Sequence, residues 1–319
     1  MRLIYALVAL GAFSPAAWSA CTVTLSNAAF GSVTSIQVNT APLPATANLV
    51  ISCDGILAVL GSNSVTMSYT GAGSSASSRA TLRNTVTGDT IPVRLCTKIN
   101  CTDSSEVTIN GGYTWSGSLL LGLFNSRVYT LPIYFMTLSG QQVSAGSYEV
   151  LANLTISYNI CNLLGLLCES SPAAGLGRSS TLSMTVTSDC QTITAPAVGF
   201  GSAPLVKSFP TISQNIVVTC TKNSPYTIGI NNGIYPSGGV RYMASVNNPA
   251  IRMAYDIFKG STTNRWGSSG AERRNHTEGT LAADNMTRTF SYTARVLTTQ
   301  ATPAQVGQYK DTLTVDIVF

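Results

Sequence analysis

The chain has 319 residues, a net charge of +5 and only 10% charged residues, with a single histidine. No basic patch interleaved with aromatics occurs, which argues against a nucleic-acid partner. After the amino-terminal segment no run reaches the roughly 18 apolar residues of a membrane-crossing helix.

In chain order, MRLIYALVALGAFSPAAWS has one early positive charge, an apolar run and a small-x-small ending at Ala17, Trp18 and Ser19. This pattern predicts a secretory signal peptide over 1–19. A lipoprotein acylation box at Ser19-Ala20-Cys21 is the alternative, but Trp18 stands where such boxes usually carry leucine, and acylation would strand a partner cysteine. The remaining length suggests two domains, predicted here as 20–188 and 189–319.

From Cys21 to Cys53 the chain alternates apolar and polar residues, as at Leu49 and Ile51. DGILAVLGSN then carries Ile56, Leu57, Ala58, Val59 and Leu60 without alternation, and Val65, Met67 and Tyr69 resume the period of two. A strand predicted near Val107 to Trp115 leads into SGSLLLGLFNS, which holds Leu119, Leu120, Leu121, Leu123 and Phe124. A further strand ending near Ile160 enters CNLLGLLC, where Leu163, Leu164, Leu166 and Leu167 lie between Cys161 and Cys168. In SSTLSMTVTS, Leu182, Met184 and Val186 alternate again. The second half begins at Cys190 and passes through GAERRNHTEG, where Arg273, Arg274 and His276 are expected in a solvated loop. It closes on alternating Leu313, Val315, Ile317 and Phe319. Period-two runs separated by turn residues such as TGD and NNG predict an all-β protein of short antiparallel strands packed as sandwiches.

The two halves repeat one another. Cys21 to Cys53 parallels Cys190 to Cys220, with Phe30-Gly31 matching Phe200-Gly201, and Leu131 to Tyr158 parallels Phe290 to Phe319. Eight cysteines in an exported chain argue for disulfides. Zinc is the weaker alternative, since no paired CxxC motifs occur; no metal or cofactor is expected. The repeat makes Cys21–Cys53 and Cys190–Cys220 equivalent pairs, and leaves Cys96–Cys101 and Cys161–Cys168 as local loops of the first copy.

The Cys-to-Cys openings with their Phe-Gly, and Gly307-Gln308-Tyr309-Lys310-Asp311 before the closing alternating strand, resemble the spore coat U domain. That domain builds the pilins of archaic, Csu-type chaperone-usher pili, and two copies in one exported chain look like the two-domain tip adhesin. The resemblance implies immunoglobulin-like antiparallel β-sandwiches lacking their last strand. A periplasmic chaperone, and then the amino-terminal extension of an adjacent pilin, supply that strand during assembly at an outer-membrane usher. The carboxy-terminal domain, whose alternating strand ends at Phe319, is therefore expected to be an incomplete pilin domain. Leu313, Val315, Ile317 and Phe319 would line its donor-strand and chaperone-binding groove. The first domain is expected to complete itself, with Leu182, Met184 and Val186 as a donor strand in cis. Signal cleavage would leave no donor extension ahead of Cys21, which fits a subunit that ends the fibre.

If the strands alternate as assigned, all three apolar loops emerge at one end of the first domain. The competing reading makes them core strands. Flanking or internal glycines (Gly55, Gly61, Gly117, Gly122 and Gly165), the lack of alternation and the cysteine closure favour exposed loops. Such a patch marks an interaction site and is expected to hold hydrophobic abiotic or host surfaces and to promote biofilm formation. A lectin-like adhesin using Tyr113, Trp115 and Asn125 is the runner-up, and a secreted structural coat protein is a third reading. An enzyme is not expected: no cysteine is left free, no Gly-x-Ser-x-Gly motif occurs and the one histidine lies in a loop.

Overall fold

Alternation decides which face of each segment is buried. In Pro44–Ser52, Ala45, Ala47, Leu49 and Ile51 point inward while the residues between them face outward. The computed structural model describes residues 21–53, 63–102, 104–116, 124–125, 128–161, 168–301, 303 and 305–319. Its first unit comprises β1 (Thr22–Leu25), β2 (Ala28–Thr34), α1 (Ser35–Thr40), β3 (Pro44–Ser52), β4 (Ser64–Ala72), β5 (Ser75–Ala76), β6 (Arg79–Arg83), β7 (Thr90–Cys96), β8 (Glu106–Val107), β9 (Gly112–Ser116), β10 (Phe124–Asn125), β11 (Val128–Thr137), β12 (Gly146–Cys161), β13 (Cys168–Ser170) and β14 (Leu176–Thr187). The second unit comprises β15 (Cys190–Thr194), β16 (Ile212–Cys220), β17 (Thr227–Ile230), β18 (Arg241–Ser245), β19 (Arg252–Lys259), β20 (Arg274–Asn275), β21 (Thr280–Leu281), β22 (Thr287–Val296), β23 (Tyr309–Lys310) and β24 (Val315–Val318).

Each unit has its own core. In the first, the hydrogen-bonded path runs β1-β3-β11-β7-β6-β12-β14-β2, with β4 on β12 and β9 on β4. Ile51, Leu95 and Ile133 from one part of the path meet Met67, Ile156 and Met184 from the other in a single buried cluster. In the second, β15-β16-β22-β19-β18-β23 and β20-β17-β24 enclose a cluster centred on Trp266, Phe290 and Ile228. The four disulfides are Cys21–Cys53, Cys96–Cys101, Cys161–Cys168 and Cys190–Cys220. The only α-helix among the described residues, α1, starts on a capping box in which Thr34 and Gln37 satisfy each other's backbone N–H groups, and it buries Val38.

Two sequence expectations need correction. The segment from Val107 to Trp115 is not one strand: β8 pairs with β7, β9 pairs with β4, and a turn through Asn110 at φ 70° divides them. Arg273 and Arg274 do not form a solvated loop. Arg274 is buried, lies 5.0 Å from the Trp266 ring and donates to the carbonyls of Glu278 and Ser291. Arg273 pairs with Asp316 of β24 at 2.7 Å. Beside them the fully buried Arg241 donates to Asp256 and to the carbonyls of Ile230, Asn231 and Trp266, while Arg265 bridges Asp256 and Glu272. A small sandwich can bury these cations because nearly every donor finds an acceptor.

The units meet through polar contacts. Lys222 Nζ lies 2.5 Å from Asp89 Oδ1, and Asp89 Oδ2 accepts the Ser144 N–H at 2.8 Å. The hydroxyls of Ser35 at the start of α1 and Thr221 are 2.6 Å apart, and Asn223 donates to Ser144 Oγ. Burial alone would raise the Asp89 carboxyl, but Lys222 and Ser144 outweigh it and hold it below the usual carboxylate range.

Candidate functional sites: a loop-bearing end and an open groove

The first site is built by strand polarity. β3, β9 and β12 run toward the apolar loops, and β4, β11 and β13 run away from them. Their ends gather together: Ser64 pairs with both Asn159 and Ser116, Ser52 with Val128, and Cys161 with Cys168. Cross-links tie the strand ends further. Cys53 is bonded to Cys21, whose carbonyl accepts the Tyr158 hydroxyl, and the Cys161 N–H donates to Asn63 at 2.8 Å. Glu169 also approaches the Cys21–Cys53 disulfide, but both sulfurs are already bonded to each other, so the group is not a metal site.

The loop residues Ile56, Leu57, Ala58, Val59, Leu60, Leu119, Leu120, Leu121, Leu123, Leu163, Leu164, Leu166 and Leu167 lie outside the described residues. Phe124 begins the short strand β10, which pairs with β11, and its side chain is also outside them. Their anchors lie at the end of β12 opposite the joint between the units. β12 starts two residues after Ser144 and spans 16 residues to Cys161, a rise of about 50 Å. Of the residues named for a glycan pocket, Trp115 is only 6% exposed and stacks edge-on to Tyr113 inside the core, so its face is not an open platform.

The second site emerges when the two units are compared. In the first, β14 lies between two strands, antiparallel to β12 (Gly146 opposite Val186, Val150 opposite Leu182) and parallel to β2 (Leu182 beside Ala28, Val186 beside Val33). Leu182, Met184 and Val186 are buried, and burial contributes about 1.5 to 3 kcal/mol for each such side chain. In the second unit the equivalent of β12 is the run from Gly307 through β23 and β24. Gly146 and Gly307 have φ of 140° and 147°, and two residues on, Tyr148 and Tyr309 each donate their hydroxyl to the carbonyl four residues back. The equivalent of β2 is the segment around Phe200-Gly201, which forms no strand.

Between these two segments nothing is inserted among the described residues, and β24 is the edge of its sheet. A trough occupies the space, comprising cavities of about 820 Å³ and 480 Å³ that share Val198, Phe200, Met243 and Tyr309. Leu313 and Val315 line it and Ile317 packs on the core behind, all partly buried. Phe319 is 58% exposed at the far end, edge-on to Tyr226.

Two immunoglobulin-like sandwiches, one with the groove filled and the other with it open, are a pilin-type architecture. The family follows from the sequence: the Spore Coat Protein U domain matches residues 7–155 and 178–316, more than half of the chain, and the chain belongs to that family. The second match begins inside β14. Among solved structures, the chain is similar to the CsuC–CsuE chaperone–tip adhesion subunit pre-assembly complex from archaic chaperone-usher Csu pili of Acinetobacter baumannii. The identity is 25% and the TM-score 0.61, over 94% of this chain and 100% of that one. It also aligns with the CupB6 tip adhesin of Pseudomonas aeruginosa at 12% identity and a TM-score of 0.38, covering 94% of this chain and 93% of that one. No match was found among curated proteins. The family and the Csu neighbour are structural or adhesive pilus proteins rather than enzymes.

Proposed function

We propose that the protein is the adhesive tip subunit of an archaic, Csu-type chaperone-usher pilus. In this reading residues 20–188 form the adhesin domain and 189–319 the pilin domain. The signal peptide over 1–19 directs export to the periplasm, where a chaperone caps the open groove. At the outer-membrane usher an adjacent pilin's amino-terminal strand replaces the chaperone, and the adhesin reaches the cell surface at the end of the fibre. The first domain is completed in cis by β14. That β14 also opens the second family match supports this: the strand is the extension of the second domain, folded into the first.

The observation that carries the adhesive role is the convergence of the loop anchors at one end of the first unit, opposite the joint. Three glycine-bounded apolar loops held there would form one hydrophobic patch. Each side chain buried against a surface contributes about 1.5 to 3 kcal/mol, and many fibres per cell multiply the effect. Hydrophobic abiotic or host surfaces are the partners, and attachment to them promotes biofilm formation.

The test replaces Leu163, Leu164, Leu166 and Leu167 with serine in chaperone-coexpressed protein. Folding and secretion are expected to stay near wild type, because exposed apolar side chains contribute little to stability, while attachment to hydrophobic plastic falls sharply. Adding Leu57→Ser, Val59→Ser, Leu120→Ser and Leu123→Ser should lower it further, with weak salt dependence. Variants that unfold would return the leucines to the core; variants that fold and still adhere would move binding elsewhere, to a glycan site first.

A further inference from the structure

At one inward-facing position the open groove carries a charge where the filled one is apolar. Aligned on the paired glycines and tyrosines, Gly146, Tyr148, Val150 and Ala152 correspond to Gly307, Tyr309, Asp311 and Leu313. In the first unit these residues oppose Val186, Met184, Leu182 and Ser180 of β14. An apolar pair, Val150 with Leu182, is thus replaced on the acceptor side by a carboxylate. Asp311 lines the trough together with Tyr255, beside apolar Ile216 and Ile257.

The carboxylate is held in a defined orientation. Oδ1 accepts the N–H groups of Ile234 and Thr312, each at 2.8 Å, and Oδ2 accepts the Tyr255 hydroxyl at 2.6 Å. Gly233 permits this approach: a Cβ there would lie 1.9 Å from Oδ2, and its φ of +79° suits glycine. An ionised carboxylate has about four acceptor sites, and three are taken. Asp311 lines the trough, so a strand laid into the groove would cover the remaining one.

A strand that places leucine over it would bury that site without a partner, which is costly, whereas a short hydroxyl side chain would satisfy it. We infer that Asp311 and Tyr255 form the selecting point of the groove, and that the strand filling it carries serine or threonine where β14 carries Leu182. The inference rests on the groove being a strand acceptor. It also gives the chain a means of keeping its two grooves distinct, since a strand with the inward pattern of β14 suits the first and is disfavoured in the second.

The test uses the full chain, in which β14 already fills the first groove, and two labelled peptides. One has the sequence of residues 176–187; the other has the same sequence with Leu182→Thr. Fluorescence anisotropy should show the threonine peptide binding at least roughly tenfold more tightly. Asp311→Val, which copies Val150, should reverse the order. Tyr255→Phe frees a second acceptor site and should enlarge the preference for threonine, and it decides the matter if Asp311→Val fails to fold. Equal or tighter binding of the leucine peptide to wild type, or a preference unmoved by Tyr255→Phe, would overturn the selecting role. Binding of neither peptide would overturn the acceptor reading itself, and this inference with it.

Discussion

Met184 illustrates how much one inward-facing residue of β14 determines. It lies opposite Tyr148, is 2% exposed and belongs to the first unit's core cluster. Met184→Asp would place a carboxylate in this apolar cluster. The expected cost is more than about 3 kcal/mol. Denaturant melts should show the first unit's transition moving to lower concentration while the second unit's transition stays in place. Met184→Leu, nearly equal in volume, should cost less than about 1.5 kcal/mol. A similar loss in both units would mean that β14 does not belong to the first core alone.

At the scale of the element, a missing strand leaves two backbone edges unpaired and an apolar trough open to water. Filling it would bury side chains against Ile216, Ile257 and Tyr292 and add two ladders of backbone hydrogen bonds. A peptide strand supplied in trans, or fused through a flexible linker, should therefore raise the second unit's melting temperature by several degrees. The first unit's transition should not respond, because β14 already occupies its groove. Calorimetry on the full chain with and without the strand separates the two. A response confined to the first unit would show that β14 is easily displaced and the second groove is closed.

For the whole molecule, the joint decides whether load passes from one unit to the other through a fixed orientation. Its main ionic contact is Lys222 with Asp89, whose carboxyl is held below the usual range. A depressed carboxyl contributes stability above its unfolded value of about 3.9. That contribution is lost as the pH falls through the lower folded value. The orientation of the units should therefore hold at neutral pH and loosen below about pH 4, as small-angle scattering would record. In Lys222→Met, the Asp89 carboxyl signal should titrate at higher pH than in the wild-type chain, and the joint should already be looser at neutral pH. An unchanged titration would remove the ion pair from the joint.

The sequence by itself determined the strand pattern, the two-copy organisation and the family, because periodicity and cysteine order are written locally and then repeated. Alternation at Leu49 and Ile51, or at Leu182 and Met184, shows that one face is buried and leaves open what covers it. Only the tertiary structure decided that β14 inserts between β12 and β2, since β2 lies about 150 residues earlier and nothing local encodes the pairing. The same holds for Arg273 and Arg274: a charged run reads as solvated until Trp266, Ser291 and Asp316 are brought against it from outside the run. Trp115, beside an apolar loop in sequence, faces the core because β9 pairs with β4 in a register that turns it inward. The gathering of the loop anchors and the open trough are likewise tertiary facts. Each depends on strand polarity and on an unpaired edge, which arise from long-range pairing rather than from the composition of any one segment.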